Sequence, residues 1–417
     1  MNARGRTALL AVVLGAGVGA ISAVYLLAVH GLEHLLWEDG DPRLPLPSAL
    51  ATVLTCAAGG VLVGLIRRRH ERGTPRDLDD ALADLETAME EGDATPPPTA
   101  VWLIRSAILG VVSLGFGASL GPEAPLVAIA VGFGARIATI LRLSRAEATY
   151  ISAAGALSGL FGGPLGPALM PLEGGRSTPR AEVLAVGTLS GLAGLVTLLA
   201  LLPDEGGPHL DVPTSTDVAG DVSADLLWAV LAALPATLIG LAALGLLPHA
   251  RGLAERALPS TVLQATAGGL VLGLCGAVSP LALFSGSHGS EDLIADVAQY
   301  SAWALLGLAG LKLLATVACM STGWFGGQIF PAVFMGLAVG LAVAAAFPGA
   351  PMAPAAAAGT AAAGTAVLRR PLAVVLILLF YFPADHLLAM LVGGGVATLL
   401  VTLLGERAPK PHGLASH

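Results

Sequence analysis

Charge is what this chain has least of. Only 12% of its 417 residues are Asp, Glu, Lys or Arg, and 5% are aromatic, where an ordinary soluble domain carries about 25% charged residues. A soluble globular protein is excluded on that ground. Cysteine is scarce as well: Cys56, Cys275 and Cys319 each lie in an apolar segment, at no spacing that ligates a metal. Packed thiols are expected there, and neither a disulfide framework nor a metal centre. The formal net charge of −8 resides mostly in loops, and nucleic acid is not expected as a partner. No histidine lies in the apolar blocks around Ser119 and Ser158, which argues against an intramembrane Ser/His enzyme; no enzyme is expected.

Long polar stretches are also few. The largest insert, residues 67–99, closes on Pro96-Pro97-Pro98, and only the tail 406–417 follows the last apolar block. Within the insert Leu78, Leu82, Leu85 and Met89 recur at helical spacing with acidic residues between them. That pattern predicts an amphipathic helix on the cytoplasmic surface. With no separate soluble domain expected, residues 1–417 read as one transmembrane unit.

Apolar sequence fills the rest. The chain is 55% hydrophobic with a mean hydropathy of +0.79. Blocks near 8–29, 49–66, 101–120, 126–141, 181–202, 225–248, 262–284, 302–320, 332–347 and 372–404 approach or exceed the ~20 residues that cross a bilayer as a helix. An all-α, multi-pass protein of the cell membrane follows. Arg4 and Arg6 precede the first block, which reads as a retained span. Glu33, Glu38, Asp39 and Asp41 follow it, and Arg67-Arg68-Arg69 closes the second block. The excess of basic residues on one side predicts a cytoplasmic N-terminus, and the C-terminus is expected on the same side. Trp37, Trp102, Trp228 and Tyr300 stand near block ends, where interfacial anchors belong. In the segment Gly289 to Leu293, Ser290 is the expected N-cap of a helix starting near Asp292. His288, Glu291 and Asp292 are therefore read as surface and capping groups. His386 beside Asp385 is read as a connection between helices.

Glycine and proline are placed alike in two halves, 1–205 and 206–405. Gly121 to Pro125 (G-P-E-A-P) and Gly327 to Pro331 (G-Q-I-F-P) both read Gly-x-x-x-Pro and both open an apolar stretch. A Pro-Leu follows in each half, 39 residues from Pro125 to Pro164 and 40 from Pro331 to Pro371. Such matched, interrupted apolar segments point to a transport site built from broken helices. Proline suits the first helical turn, which needs no N–H there. A helix starting inside the membrane presents unpaired N–H groups and a positive dipole end, an anion site. Two Pro-kinked packing helices would give the same pattern.

Glu123 breaks that ambivalence. It is a lone carboxylate in apolar surroundings, with no basic residue between Arg105 and Arg136, and an ionisable residue at such a place is a functional candidate. At the start of a broken helix its carboxylate can occupy the anion's own site. On protonation it loses that attraction and can swing away, so it reads as a gate; alternatively it only caps its own helix.

With these residues in view, the chain resembles the CLC family of chloride channels and proton-coupled chloride exchangers over about residues 49–404. L-G-P-E-A-P-L-V-A-I from Leu120 is similar to the family's Gly-Arg-Glu-Gly-Pro segment, with Glu123 as the gating glutamate. The stretch Ala153 to Glu173, the loop S-T-G-W-F-G-G-Q-I-F-P from Ser321, S-G-S-H-G-S from Ser285 and V-L-R-R-P-L-A-V-V-L from Val367 follow in the family's order. The resemblance implies an inverted-repeat bundle of tilted and broken helices and a homodimer in lipid, each subunit with its own pore. It implies chloride or a similar small anion as the transported ligand and no cofactor. Backbone groups of Gly121, Pro122, Glu123 and Ala124 would meet the anion from one side, and those of Gly327, Gln328, Ile329 and Phe330 from the other. Arg72, Gly73 and Thr74 stand at the family's inner-mouth loop, where Arg72 replaces the usual serine and Thr74 could substitute for it.

Other departures bear on mechanism. Pro122 and Ala124 flank Glu123 where the family has Arg and Gly. No tyrosine follows Tyr381, so the family's C-terminal pore tyrosine has no counterpart. The internal proton glutamate of exchangers falls on Gly174, leaving Glu173 as the residue that could take its place. The expectation is a passive anion channel gated by Glu123, with a proton-coupled chloride or fluoride exchanger as the alternative.

Overall fold

The computed structural model describes residues 3–38, 40–69, 99–141, 144–170, 172–173, 181–203, 209–212, 222–347 and 349–410. Fifteen α-helices lie among them. The long helix α1 (Ala3–Leu36) leads through a two-residue antiparallel ribbon, β1 (Trp37–Glu38) with β2 (Asp41–Pro42), into α2 (Ser48–Arg68). Then come α3 (Ala100–Gly115), α4 (Glu123–Leu141), α5 (Arg145–Leu160), the short α6 (Leu165–Leu169) and α7 (Ala181–Leu201). The second half holds α8 (Val222–Ala257), α9 (Thr261–Val278), α10 (Ser287–Ala295), α11 (Ala302–Ser321), α12 (Ile329–Ala346), α13 (Met352–Leu368), the short α14 (Pro371–Leu378) and α15 (Leu387–Leu404). Among the described residues nine helices are long and apolar enough to cross a membrane. The protein is an all-α integral membrane protein built as an inverted repeat of tilted and broken helices.

The helix starts fall into two kinds. Thr99, Ser144, Ser260 and Ser301 cap α3, α5, α9 and α11 by accepting the N–H of Trp102, Glu147, Leu263 and Ala304, which satisfies N–H groups that no helical carbonyl can reach. Gln328 gives α12 no such side-chain cap. Pro125 is the third residue of α4 and Pro331 the third of α12, so both prolines stand in the first turn, where their missing N–H breaks no helical hydrogen bond. The two short helices α6 and α14 pack on one another, with Gly166 against Ile377.

Small residues draw the buried helices together, as expected where lipid removes the hydrophobic incentive to associate. Gly336 of α12 faces the backbone of Gly359 and Thr360 in α13 so closely that a Cβ would strike it. Nearly every side chain of α13 is buried, and so is nearly every one of α5.

Several expectations are corrected here. The block 372–404 is two helices, α14 and α15, with the turn Ala384–His386 between them, because Pro383 interrupts the run. The block 262–284 ends as a helix at Val278. Both α5 and α13 are almost wholly buried helices that the apolar blocks do not mark. Helix α10 starts at Ser287, earlier than Asp292, and Ser290 lies inside it, its hydroxyl donating back to the Gly286 carbonyl at 2.7 Å. Trp37 is a buried strut in place of an interfacial anchor: it is 4% exposed, its indole N–H donates to Gly115 O at 3.0 Å, and Phe284 meets it edge-on. The expected amphipathic helix with Leu78, Leu82, Leu85 and Met89 lies outside the described residues.

Candidate functional site

Two loops built alike meet at the middle of the molecule. After α3 the chain turns at Gly117 (φ +86°) and runs through Ala118–Pro122 to the start of α4 at Glu123. After α11 it turns at Gly323 (φ +92°) and runs through Trp324–Gln328 to the start of α12 at Ile329. The loops pair antiparallel at one point: Gly121 N–H donates to Gly327 O at 2.8 Å, and Gly327 N–H donates to Gly121 O at 2.6 Å. These two N–H groups are thereby engaged with each other, and the helix starts on either side are drawn together. A Cβ on Gly121 or on Gly327 would collide with the Glu123 carboxylate, so a side chain at either would have to displace it.

Glu123 is completely buried. Its Oε1 accepts the N–H of Phe330 at 3.0 Å, and the N–H groups of Glu123 itself and Ile329 also face the carboxylate. No cationic side chain among the described residues forms an ion pair with it. The charge of a carboxylate there is met by the N-terminal dipoles of two helices, one from each half. Its Oε2 has no hydrogen-bond partner, and neither do the buried hydroxyls of Tyr25 and Tyr381, both within electrostatic reach of Glu123. Buried polar atoms without partners are rare, and three of those among the described residues are Glu123 Oε2 and these two hydroxyls. The Phe330 ring lies between Phe161 (5.6 Å between centroids) and Tyr381 (6.3 Å, nearly parallel).

The loops are held from behind. Phe325 N–H donates to Ser113 Oγ at 3.0 Å, Thr316 Oγ1 donates to Ser119 O at 3.1 Å, and Trp324 Nε1 donates to Ala265 O at 3.0 Å. Arg67, at the end of α2, donates to Gly323 O at 3.0 Å, so a cation reaches the second loop from its far side. On the opposite side a cavity of about 690 Å³ opens, with Leu120, Pro122 and Phe330 at its floor and Trp37, Phe284 and Gly286 in its wall.

Of the remaining expected residues, Glu173 accepts the N–H of Leu372 at 2.8 Å on one oxygen and of Ala373 at 2.7 Å on the other. It caps the start of α14 across 199 residues of sequence. Beside it Arg370 donates to Met170 O. Arg72, Gly73, Thr74 and Gly174 lie outside the described residues. Sequence reasoning missed Tyr25, Tyr381, Phe161 and Arg67, whose place at the site depends on contacts across the bundle. The only local signal was that Tyr25 and Tyr381 are polar groups inside apolar blocks.

The model of the voltage gated chloride channel family matches residues 59–402. The chain belongs to this family. Members are ion channels or transporters and not enzymes, and ion transport through the membrane is what this chain shares with them. Among curated relatives, "Putative ion-transport protein YfeO" of Escherichia coli (strain SE11) is 30% identical over 369 residues, covering 85% of this chain and 83% of the relative. The protein of that name from Shigella boydii serotype 18 (strain CDC 3083-94 / BS512) matches to the same extent. Among solved structures, a slow cyanobacterial Cl⁻/H⁺ antiporter superposes with a TM-score of 0.81 at 19% identity, covering 99% of this chain and 96% of that one. A CLC-type fluoride/proton antiporter gives 0.76 at 20% identity, with 95% of each chain covered. At these identities the two structures establish the shared fold.

Proposed function

We propose that the protein carries a small inorganic anion, chloride or fluoride, across the membrane, and that Glu123 gates its path. The observation that supports this is the resting place of the carboxylate. It lies against the N–H groups of Ile329 and Phe330 and its own helix start, a pocket of donors that suits a free anion of similar charge. Carboxylate and anion then compete for one site. The backbone around Gly121, Pro122, Ala124, Gly327, Gln328, Ile329 and Phe330 forms the cradle; Arg72, Gly73 and Thr74, which lie outside the described residues, are assigned to the inner mouth by the sequence resemblance alone. No cofactor enters this reading.

Passive conduction is the first mode. Both Glu173 oxygens hold helix N–H groups, and the next residue is Gly174, so the chain offers no free carboxylate at that position to relay protons. Proton-coupled exchange is the second mode, favoured by the naming of both superposed structures as antiporters. The basic residues Arg67, Arg68 and Arg69 at the end of α2 favour a cytoplasmic placement of that side and of the N-terminus; the cell membrane as location and a homodimer as assembly are carried over from the family. Efflux of chloride, then of fluoride, from liposomes holding purified protein tests the reading. Flux above that of empty vesicles is expected for at least one of them; none for either would overturn it.

A further inference from the structure

Tyr25 of α1 is 5% exposed, and its hydroxyl has no hydrogen-bond partner. That hydroxyl sits in a notch. A Cβ added to Gly110 of α3 would strike it and would come within 2.8 Å of the Pro125 ring, so the phenol ends between a glycine of α3 and the first turn of α4. Its depth can be read along the helices. Val29 of α1 and Leu114 of α3 line the cavity above Phe330, and Tyr25 and Gly110 each stand about one helical turn before them. The start of α4 lies at that level: Pro122 lines the cavity floor and Glu123 follows it. The hydroxyl is within electrostatic reach of the Glu123 carboxylate.

A buried hydroxyl without a partner is costlier than the phenylalanine that would fill the same space. Glu123 shows the matching deficit, for Oε1 holds the Phe330 N–H while Oε2 has no partner. Tyr381, the other unpartnered phenol, is placed differently: its ring stacks on Phe330, whose N–H belongs to the donor pocket, so it stays on the anion's side. Few other titratable groups surround Tyr25 and Glu123. His30 and Glu33 of α1 lie in the cavity wall. Helix α11 brings Cys319 to Ser119 of the first loop and Lys312 to the carbonyls of Leu283 and Phe284. Arg105 of α3 is exposed, Arg136 of α4 and Arg145, Glu147 and Tyr150 of α5 lie toward the opposite end of α4, and α12 carries no titratable side chain.

We propose that Tyr25 is the dock of the displaced gate: when an anion takes the N–H groups of Ile329 and Phe330, the Glu123 carboxyl, protonated from the cavity side, turns toward α1 and its carbonyl oxygen accepts the Tyr25 O–H. One contact is exchanged for another. The Phe330 N–H passes from carboxylate to anion, and the buried hydroxyl gains the partner it lacks at rest. Tyr25 touches no anion and acts as a positioning residue. Because its hydrogen bond exists only in the open arrangement, it shifts the balance toward that arrangement. A neutral carboxylic acid suits a phenol, since each group both donates and accepts.

The inference rests on Glu123 as gate, and the experiment separates the two. Chloride and fluoride efflux from liposomes is recorded from acidic to neutral pH for wild type, Tyr25→Phe, Tyr381→Phe, Glu123→Ala and the double variant Tyr25→Phe with Glu123→Ala. Tyr25→Phe loses a hydrogen bond made only in the open arrangement, so half-maximal flux should need about fivefold more protons than in wild type. Its Tm in detergent should not fall, because the resting hydroxyl has no partner to lose. With Glu123→Ala no carboxyl remains to dock, and adding Tyr25→Phe should change flux by less than about twofold. A pH profile unmoved by Tyr25→Phe would overturn the inference alone. So would an effect of Tyr25→Phe that persists without the carboxyl, or a shift seen only with Tyr381→Phe. Wild type and Glu123→Ala with the same flux at every pH would overturn the gate and this inference with it. A wild type that passes neither anion would overturn the transport reading as well.

Discussion

The N–H of Phe330, in the first turn of one half's broken helix, donates at 3.0 Å to the carboxylate of Glu123, which begins the broken helix of the other half. The two residues are 207 positions apart, and the paired backbones of Gly121 and Gly327 beside them fix the approach. A charge supplied by the first half is therefore held by donors of the second. Under the proposed gating, opening the path breaks that contact and a competing anion takes up the same N–H groups.

The first prediction concerns the glycines of the pair. Gly327→Ala places a methyl group where the Glu123 carboxylate rests, and the same holds for Gly121→Ala. Overpacking of this kind costs about 1–3 kcal/mol. Displacement of the carboxylate should leave the variant folded but less stable, with anion flux altered at least several-fold. Thermal unfolding in detergent and liposome flux check it together; wild-type values in both would show that the loops have slack the structure does not suggest.

Glu173 provides a second. As the acceptor of two N–H groups at the start of α14, it contributes as a cap does, about 1 kcal/mol. Glu173→Gln keeps one good acceptor and loses the charge that suits a helix N-terminus. A Tm lowered by a few degrees is expected, with anion flux retained and the proton-to-anion ratio unchanged. Loss of proton movement on this substitution would instead assign Glu173 to a proton path.

A third concerns Tyr381. Tyr381→Phe removes only a hydroxyl that is buried and without partner, and leaves a ring to stack on Phe330. If that hydroxyl donates to a passing anion, half-saturation should rise about tenfold, as losing a hydrogen bond to a charged group implies. The stability of the protein should not fall. An unaffected half-saturation would leave the phenol as packing alone.

How much of this was legible beforehand follows from which forces are local. The broken helices were visible because Pro125 and Pro331 mark a first turn by their own chemistry, and Glu123 stood out because a lone carboxylate in apolar sequence is costly. The helices α5 and α13 escaped notice for the opposite reason. Both are rich in Ala and Gly with Ser or Thr among them, small residues that allow close backbone packing, and at 16 and 17 residues both are shorter than the ~20 residues of a full span. Ser290 looked like a cap and became an interior helix residue, because Gly286, in the left-handed region, lets the helix begin earlier. Trp37 near a span end fitted the interfacial pattern, yet the folded chain covers it with Phe284 and a carbonyl of α3. The roles of Tyr25, Tyr381 and Arg67 are set by partners far away in sequence, and nothing in their immediate neighbours announces them.

Competition between the Glu123 carboxylate and the anion is tested by one paired measurement. Wild type and Glu123→Gln are reconstituted separately, and anion efflux is recorded together with the pH outside the vesicles. Wild-type flux should rise as pH falls, since a protonated Glu123 no longer competes with the anion, and Glu123→Gln should be fast at every pH. Proton movement that accompanies wild-type flux and vanishes in the variant would select exchange over passive conduction, with Glu123 still the gate. Wild type and Glu123→Gln with the same flux and the same pH dependence would contradict a gate at Glu123.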